Sequence, residues 1–131
     1  MSLPERVGPP LTFEDAQRTA HQIAKEHGWW GEYGLGARNT PEMLALMHSE
    51  LSEALEEWRV TKHAEPGGME LSGVYRISPT GKPEGFWIEL ADCIIRILDT
   101  AERENINMGE LVRMKMEYNR TRPHRHGGKR A

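Results

Sequence analysis

The chain has 131 residues, one domain by length, and a formal net charge of −3, so no whole-protein field would gather a nucleic-acid polymer. Its one cysteine, Cys93, excludes an internal disulfide and sits inside an apolar run, as a small buried side chain of a reducing compartment would. No apolar run approaches membrane-spanning length, and "MSLPERVGPPL" lacks the apolar centre of a signal peptide, so the expectation is a cytoplasmic protein with no membrane partner.

Residues 1–11 are proline-rich and read as irregular. Thr12 caps a first helix with Asp15 three residues on, and that helix runs to about His27, where Gly28 ends it. A glycine-rich loop, "GWWGEYGLGARN", follows. Thr40-Pro41 then supplies an N-cap and a first-turn proline for a second helix ending near Arg59. The stretch 60–84 is dense in glycine and proline around a β-like "GVYRI", the pattern of a flap or a disordered connection. A third helix starts near Pro83 and continues through "EGFWIELADCIIRILDTAEREN". Asn107 and Glu110 open a fourth, which Pro123 ends, and 123–131 form a basic tail. The expectation is one all-α, four-helix, bundle-like domain with a long excursion between its second and third helices.

On the second helix, Leu44, Met47, Leu51, Leu55 and Trp58 share a stripe that predicts the core face. Glu50, Glu53 and Glu57 cluster on the neighbouring face, spaced by three and four. His48 lies near the apolar stripe and reads as a core histidine. The methionines Met43, Met47, Met108, Met114 and Met116 read as core fillers. The third helix is apolar around most of its circumference. Its remaining strip carries Glu89, Asp92, Arg96, Asp99 and Arg103, and the i,i+4 pairs Asp92–Arg96 and Asp99–Arg103 are those of a solvated face.

Two acidic pairs, Glu50-x-x-Glu53 and Glu89-x-x-Asp92, nevertheless meet in one cleft if the two helices pack antiparallel. Four partly buried carboxylates repel by several kcal/mol unless a cation joins them. All-oxygen ligation selects Mg²⁺, with Mn²⁺ as a substitute, over zinc. A di-iron site would want Glu-x-x-His pairs, which neither helix has.

Together "HSELSEALEEWR" and "GFWIELADCIIRILD" resemble the two metal-binding helices of the MazG-like all-α nucleoside triphosphate pyrophosphohydrolases. "KMEYNRTRPHRHGGK" resembles the lysine- and asparagine-bearing end of the same family, so the likeness spans roughly residues 40 to 129. The linker between the acidic pairs is longer than in compact members. The resemblance implies Mg²⁺-dependent hydrolysis of a (d)NTP to a (d)NMP and pyrophosphate, as in house-cleaning of non-standard or excess nucleotides. Glu50, Glu53, Glu89 and Asp92 would then be the metal ligands, with Glu53 also activating water. Lys115 and Asn119, four apart, would reach the substrate, followed by Arg122, Arg125 and Lys129 beside Gly127-Gly128. Trp29 and Trp30 are candidates to stack on the base, although closing the bundle end is the expected job of at least one of them.

The competing expectation is a non-enzymatic helical interaction module whose acidic faces are merely solvated. Either way, the third helix carries more apolar surface than a four-helix monomer covers. Leaving three such side chains in water forfeits about 5 kcal/mol, so a homodimer or homotetramer is expected.

Overall fold

A computed structural model of the protein describes residues 8–31, 39–60, 63–64, 68–69 and 75–123. The fold is all-α, with helices α1 (Phe13–Glu26), α2 (Thr40–Val60), α3 (Phe86–Arg103) and α4 (Met108–Thr121). Among the described residues, four two-residue strands lie between α2 and α3, β1 (His63–Ala64), β2 (Gly68–Met69), β3 (Arg76–Ile77) and β4 (Pro83–Glu84), paired antiparallel as β1–β2 and β3–β4. Among the described residues no helix is long and apolar enough to cross a membrane.

Local chemistry sets most helix ends where the sequence expects them. The Thr12 hydroxyl accepts from the Asp15 amide at 3.0 Å, and the Asn107 side chain accepts from the Glu110 amide at 3.1 Å, each satisfying an amide that the first turn leaves without a partner. Gly28 follows α1 at φ 73°, a backbone conformation that costs glycine nothing. Arg122 is extended, as the residue before a proline must be, and α4 stops. Two boundaries shift. The cap of α2 is Asn39 rather than Thr40, with Asn39 Oδ1 accepting from the Glu42 amide at 2.9 Å. Pro83 does not open α3, because Pro83 and Glu84 pair with Ile77 and Arg76, and Gly85 at φ 125° turns the chain into the helix.

α3 is the central helix and packs against both α1 and α2. α1 turns a stripe of Gln17, Ala20 and Ala24 inward. Small side chains there let α1 approach the buried Leu98, Asp99 and Ala101 face of α3 closely. Gln17 is fully engaged: its Nε2 donates to Glu102 Oε1 at 2.9 Å and to the Ile106 carbonyl at 2.6 Å, while its Oε1 accepts from the Met108 amide. It thereby fixes α1 to the α3–α4 turn. α2 and α3 run antiparallel, since Trp58 near the end of α2 meets Phe86 at the start of α3, ring centroids 5.3 Å apart, and Cys93 lies against the Met47 carbonyl. Cys93 is buried, as expected.

The inner face of α2 follows the expected stripe only at Met47 and Trp58, which are half-buried. Met43, Glu50 and Ala54 are buried, whereas Leu44, Leu51 and Leu55 are about half exposed. His48 is exposed too, so it is not a core histidine. Met43 is a core residue, together with Ala24 and Trp30 and with Leu46 and Met47 packed against them. Met114 and Met116 are exposed, and α4 buries no residue at all.

Asp99 is no member of a solvated strip either. It is 3 % exposed, and its Oδ1 accepts from both the Trp30 indole Nε1 and His21 Nδ1 at 2.8 Å. The Arg103 guanidinium lies over the Trp30 ring, 4.5 Å from its centroid, instead of pairing with Asp99. This cluster anchors the turn after α1 to the C-terminal half of α3. Asp99→Ala leaves the buried indole N–H without its acceptor and is expected to cost about 1–3 kcal/mol in urea unfolding. A loss below about 0.5 kcal/mol, the range of an ordinary surface substitution, would show that the cluster is not an anchor.

Candidate metal centre

Antiparallel packing of α2 on α3 brings the two acidic pairs together. Glu50, Glu89 and Asp92 each offer a carboxylate oxygen, and these three atoms lie within 4.8 Å of one another. Glu50 is buried and comes from α2; Glu89 and Asp92 are half-buried and come one turn apart from α3. Glu53 is the outermost of the four expected ligands. It is exposed, yet it hydrogen-bonds toward Glu89.

The electrostatics of the group follow from this placement. The Glu89 carboxyl is pushed up to about 7, first by burial and then by sharing hydrogen bonds and space with Glu50, Glu53 and Asp92. Burial and the Glu50 charge also raise Asp92, while Arg96 and Lys82 pull it partly back. Arg96 is therefore no partner of Asp92 on a solvated face: its Nε donates to Glu50 Oε1 across the helix interface at 2.6 Å. Glu57, the third carboxylate of the α2 face, is withdrawn from the group. Arg76 grips it with two hydrogen bonds, at 2.9 and 3.1 Å, and reaches Glu84 at 3.2 Å. That grip holds the Glu57 carboxyl below its usual value and clamps the β3–β4 hairpin beside the acidic group. The described part of the 60–84 excursion is thus a docked hairpin, and it carries Lys82 close enough to act on Asp92.

The donor set suits a hard divalent cation. An octahedral Mg²⁺ holds oxygens at about 2.1 Å, which spaces them about 3.0–4.2 Å apart. Three carboxylates already within 4.8 Å reach that spacing by small side-chain rotations.

The remaining expected site residues are placed differently. Trp30 is 1 % exposed and its indole N–H is bonded to Asp99, so it has no free face for a base and instead closes the end of the bundle. Trp29 is exposed beside His27. Lys115, Asn119 and Arg122 lie on or just after α4, which packs chiefly against α1. They stand on a different element from the carboxylates, which lie between α2 and α3. Instead, Lys115 and Arg122 flank the Tyr118 ring, 4.8 and 5.8 Å from its centroid. Arg125, Lys129 and Gly127-Gly128 lie outside the described residues. Arg76 and Lys82 were not anticipated from sequence, and the one available signal was their position in the polar stretch leading directly into the acidic helix. No family model and no curated protein matches the chain.

The raised Glu89 value makes the metal-free protein pH-sensitive in a definite direction. Between its ordinary 4.5 and about 7, the folded state holds a proton that the unfolded state has released. The stability contributed by that proton is complete below 4.5, falls as pH rises and is gone above about 7. Asp92, raised as well, acts in the same sense. In a chelator-containing buffer, Glu89→Gln is therefore expected to melt at a temperature less dependent on pH from 5 to 8 than the unsubstituted protein. Equal pH dependence in the two would contradict this account.

Proposed function

We propose that the chain is a Mg²⁺-dependent nucleoside triphosphate pyrophosphohydrolase of the MazG-like type, hydrolysing a (d)NTP to a (d)NMP and pyrophosphate. The observation that carries this reading is the convergence of Glu50, Glu89 and Asp92 within 4.8 Å at an interface of two packed helices. The resemblance of "HSELSEALEEWR" and "GFWIELADCIIRILD" to the metal-binding helices of that family supports it. Against the competing non-enzymatic module stands the placement of Glu50, which is buried rather than solvated.

In this reading Glu50, Glu89 and Asp92 hold the cation, and Mn²⁺ is an acceptable substitute. The bound ion supplies charge neutralisation for phosphate oxygens and acidifies a water. Glu53, exposed beside Glu89, takes the proton of the attacking water in this reading. Lys82 on the docked hairpin offers a cation beside Asp92 for the anionic triphosphate.

Glu53→Ala and Asp92→Ala are expected to abolish pyrophosphate release from nucleoside triphosphates, by at least about a hundredfold in kcat, while leaving the far-ultraviolet helical signal intact. Near-wild-type turnover by either variant, or no turnover by the unsubstituted protein across natural and modified nucleotides, would overturn the reading.

Self-association as a homodimer or homotetramer belongs to the same proposal. Leu44, Leu51 and Leu55 on α2, Trp87, Ile94 and Ile95 on α3, and Leu111, Met114 and Tyr118 on α4 all remain exposed. Three helices that each present an apolar stripe forfeit more burial than a marginally stable domain spares. A second copy covers such stripes and offers α4 the packing that it lacks within one chain. Light scattering at micromolar protein is expected to give a multiple of 15.0 kDa, and a folded, active monomer would contradict it.

A further inference from the structure

Arg96 stands one helical turn after Asp92 and two after Glu89, on the α3 side of the acidic group. Its Nε donates to Glu50 Oε1 at 2.6 Å, with the arginine side chain 22 % and the glutamate side chain 8 % exposed. Glu50 thus belongs to two arrangements at once, the ion pair and the carboxylate group. Among the described residues, no other of the four candidate ligands forms an ion pair, and neither terminal nitrogen of Arg96 has a hydrogen-bond partner. An ordinary structural salt bridge joins two helices and nothing more. This one sits where four carboxylates gather, and removing one partner of so buried a pair leaves its mate's charge without compensation.

From this geometry we infer that Arg96 is a built-in counter-cation of the carboxylate group. It stabilises the metal-free fold by holding Glu50, and a divalent cation binds against the guanidinium charge and in competition with the Glu50–Arg96 bond. The inference rests on the reading of this group as a divalent-metal site. Its consequence is a trade of opposite signs: Arg96 raises the stability of the metal-free protein and lowers its affinity for the metal. The two unengaged terminal nitrogens then remain available to an anion that arrives with the metal, such as the phosphate oxygens of a nucleotide.

The full chain and its Arg96→Gln variant are compared by two measurements, thermal melting in chelator and calorimetric titration with Mg²⁺ and with Mn²⁺. Arg96→Gln keeps a hydrogen-bond donor near Glu50 but removes the charge. It is expected to lower the metal-free melting temperature by several degrees and to tighten metal binding by about tenfold. A purely structural salt bridge would move both quantities downward together, so unchanged or weaker metal binding by a folded Arg96→Gln protein overturns the inference. Should the variant not fold, the unsubstituted protein still decides. Its Arg96 Nε–H resonance is expected to shift and to exchange faster with solvent on Mg²⁺ addition, and an unperturbed signal at saturation overturns the inference. Metal binding by neither protein overturns the metal-site reading itself, whereas binding by the unsubstituted protein without the Arg96 effect overturns only the inference.

Discussion

A carboxylate at the centre of a helix–helix interface is the constraint around which this fold is arranged. Glu50 occupies the position on α2 where an aliphatic side chain would ordinarily pack, and it is 6 % exposed. Burial of that charge is tolerable only with a partner, which Arg96 provides from α3. The consequences spread outward. With Glu50 inward, Leu44, Leu51 and Leu55 of α2 are left about half exposed while Leu46 packs on the core, and the carboxylates of α3 lie on the same side as Glu50. Arg96 and the nearby Lys82 against Glu50, Glu53, Glu89 and Asp92 leave the group short of positive charge, and together with burial that shortage raises the Glu89 carboxyl.

The rest of the molecule holds this interface in place with polar anchors. Asp99 ties α3 to His21 of α1 and to Trp30, Gln17 ties α1 to the α3–α4 turn, and Arg76 ties the β3–β4 hairpin to Glu57. Among the described residues the apolar core is correspondingly small, with Trp30 and Met43 its largest fully buried side chains. A small core with charged anchors favours a defined geometry over a large stability margin. It also leaves apolar surface on α2, α3 and α4, which the proposed second copy would cover.

Much of this was legible in the sequence, and the two largest exceptions share a cause. Thr12, Asn107, Gly28 and Pro123 act through neighbours one turn away, so local chemistry places the helix ends around them. The two acidic pairs were legible because helical spacing puts each on one face, and antiparallel packing then brings the faces together. The burial of Glu50 on α2 was not legible. Periodicity ranks faces by their apolar content, so the leucines outvote a glutamate whose burial depends on Arg96, 46 residues away. Asp99 was misplaced for the same reason, since its partners Trp30 and His21 lie 69 and 78 residues distant while Arg103 stands conveniently four ahead. Pro83 left the third helix for a local reason instead, pairing with Ile77 six residues earlier in the β3–β4 hairpin.

The central claim is that the group of Glu50, Glu89 and Asp92 is short of a divalent cation. Calorimetric titration of Mg²⁺ into the protein at pH 6.5, repeated in two buffers of different ionisation enthalpy, tests it most directly. If the account is right, the ion displaces the proton held on the Glu89 carboxyl, so binding is accompanied by proton release that fades as the pH is raised above about 7. Saturable binding with no proton release at pH 6.5, or no binding at all, would contradict it.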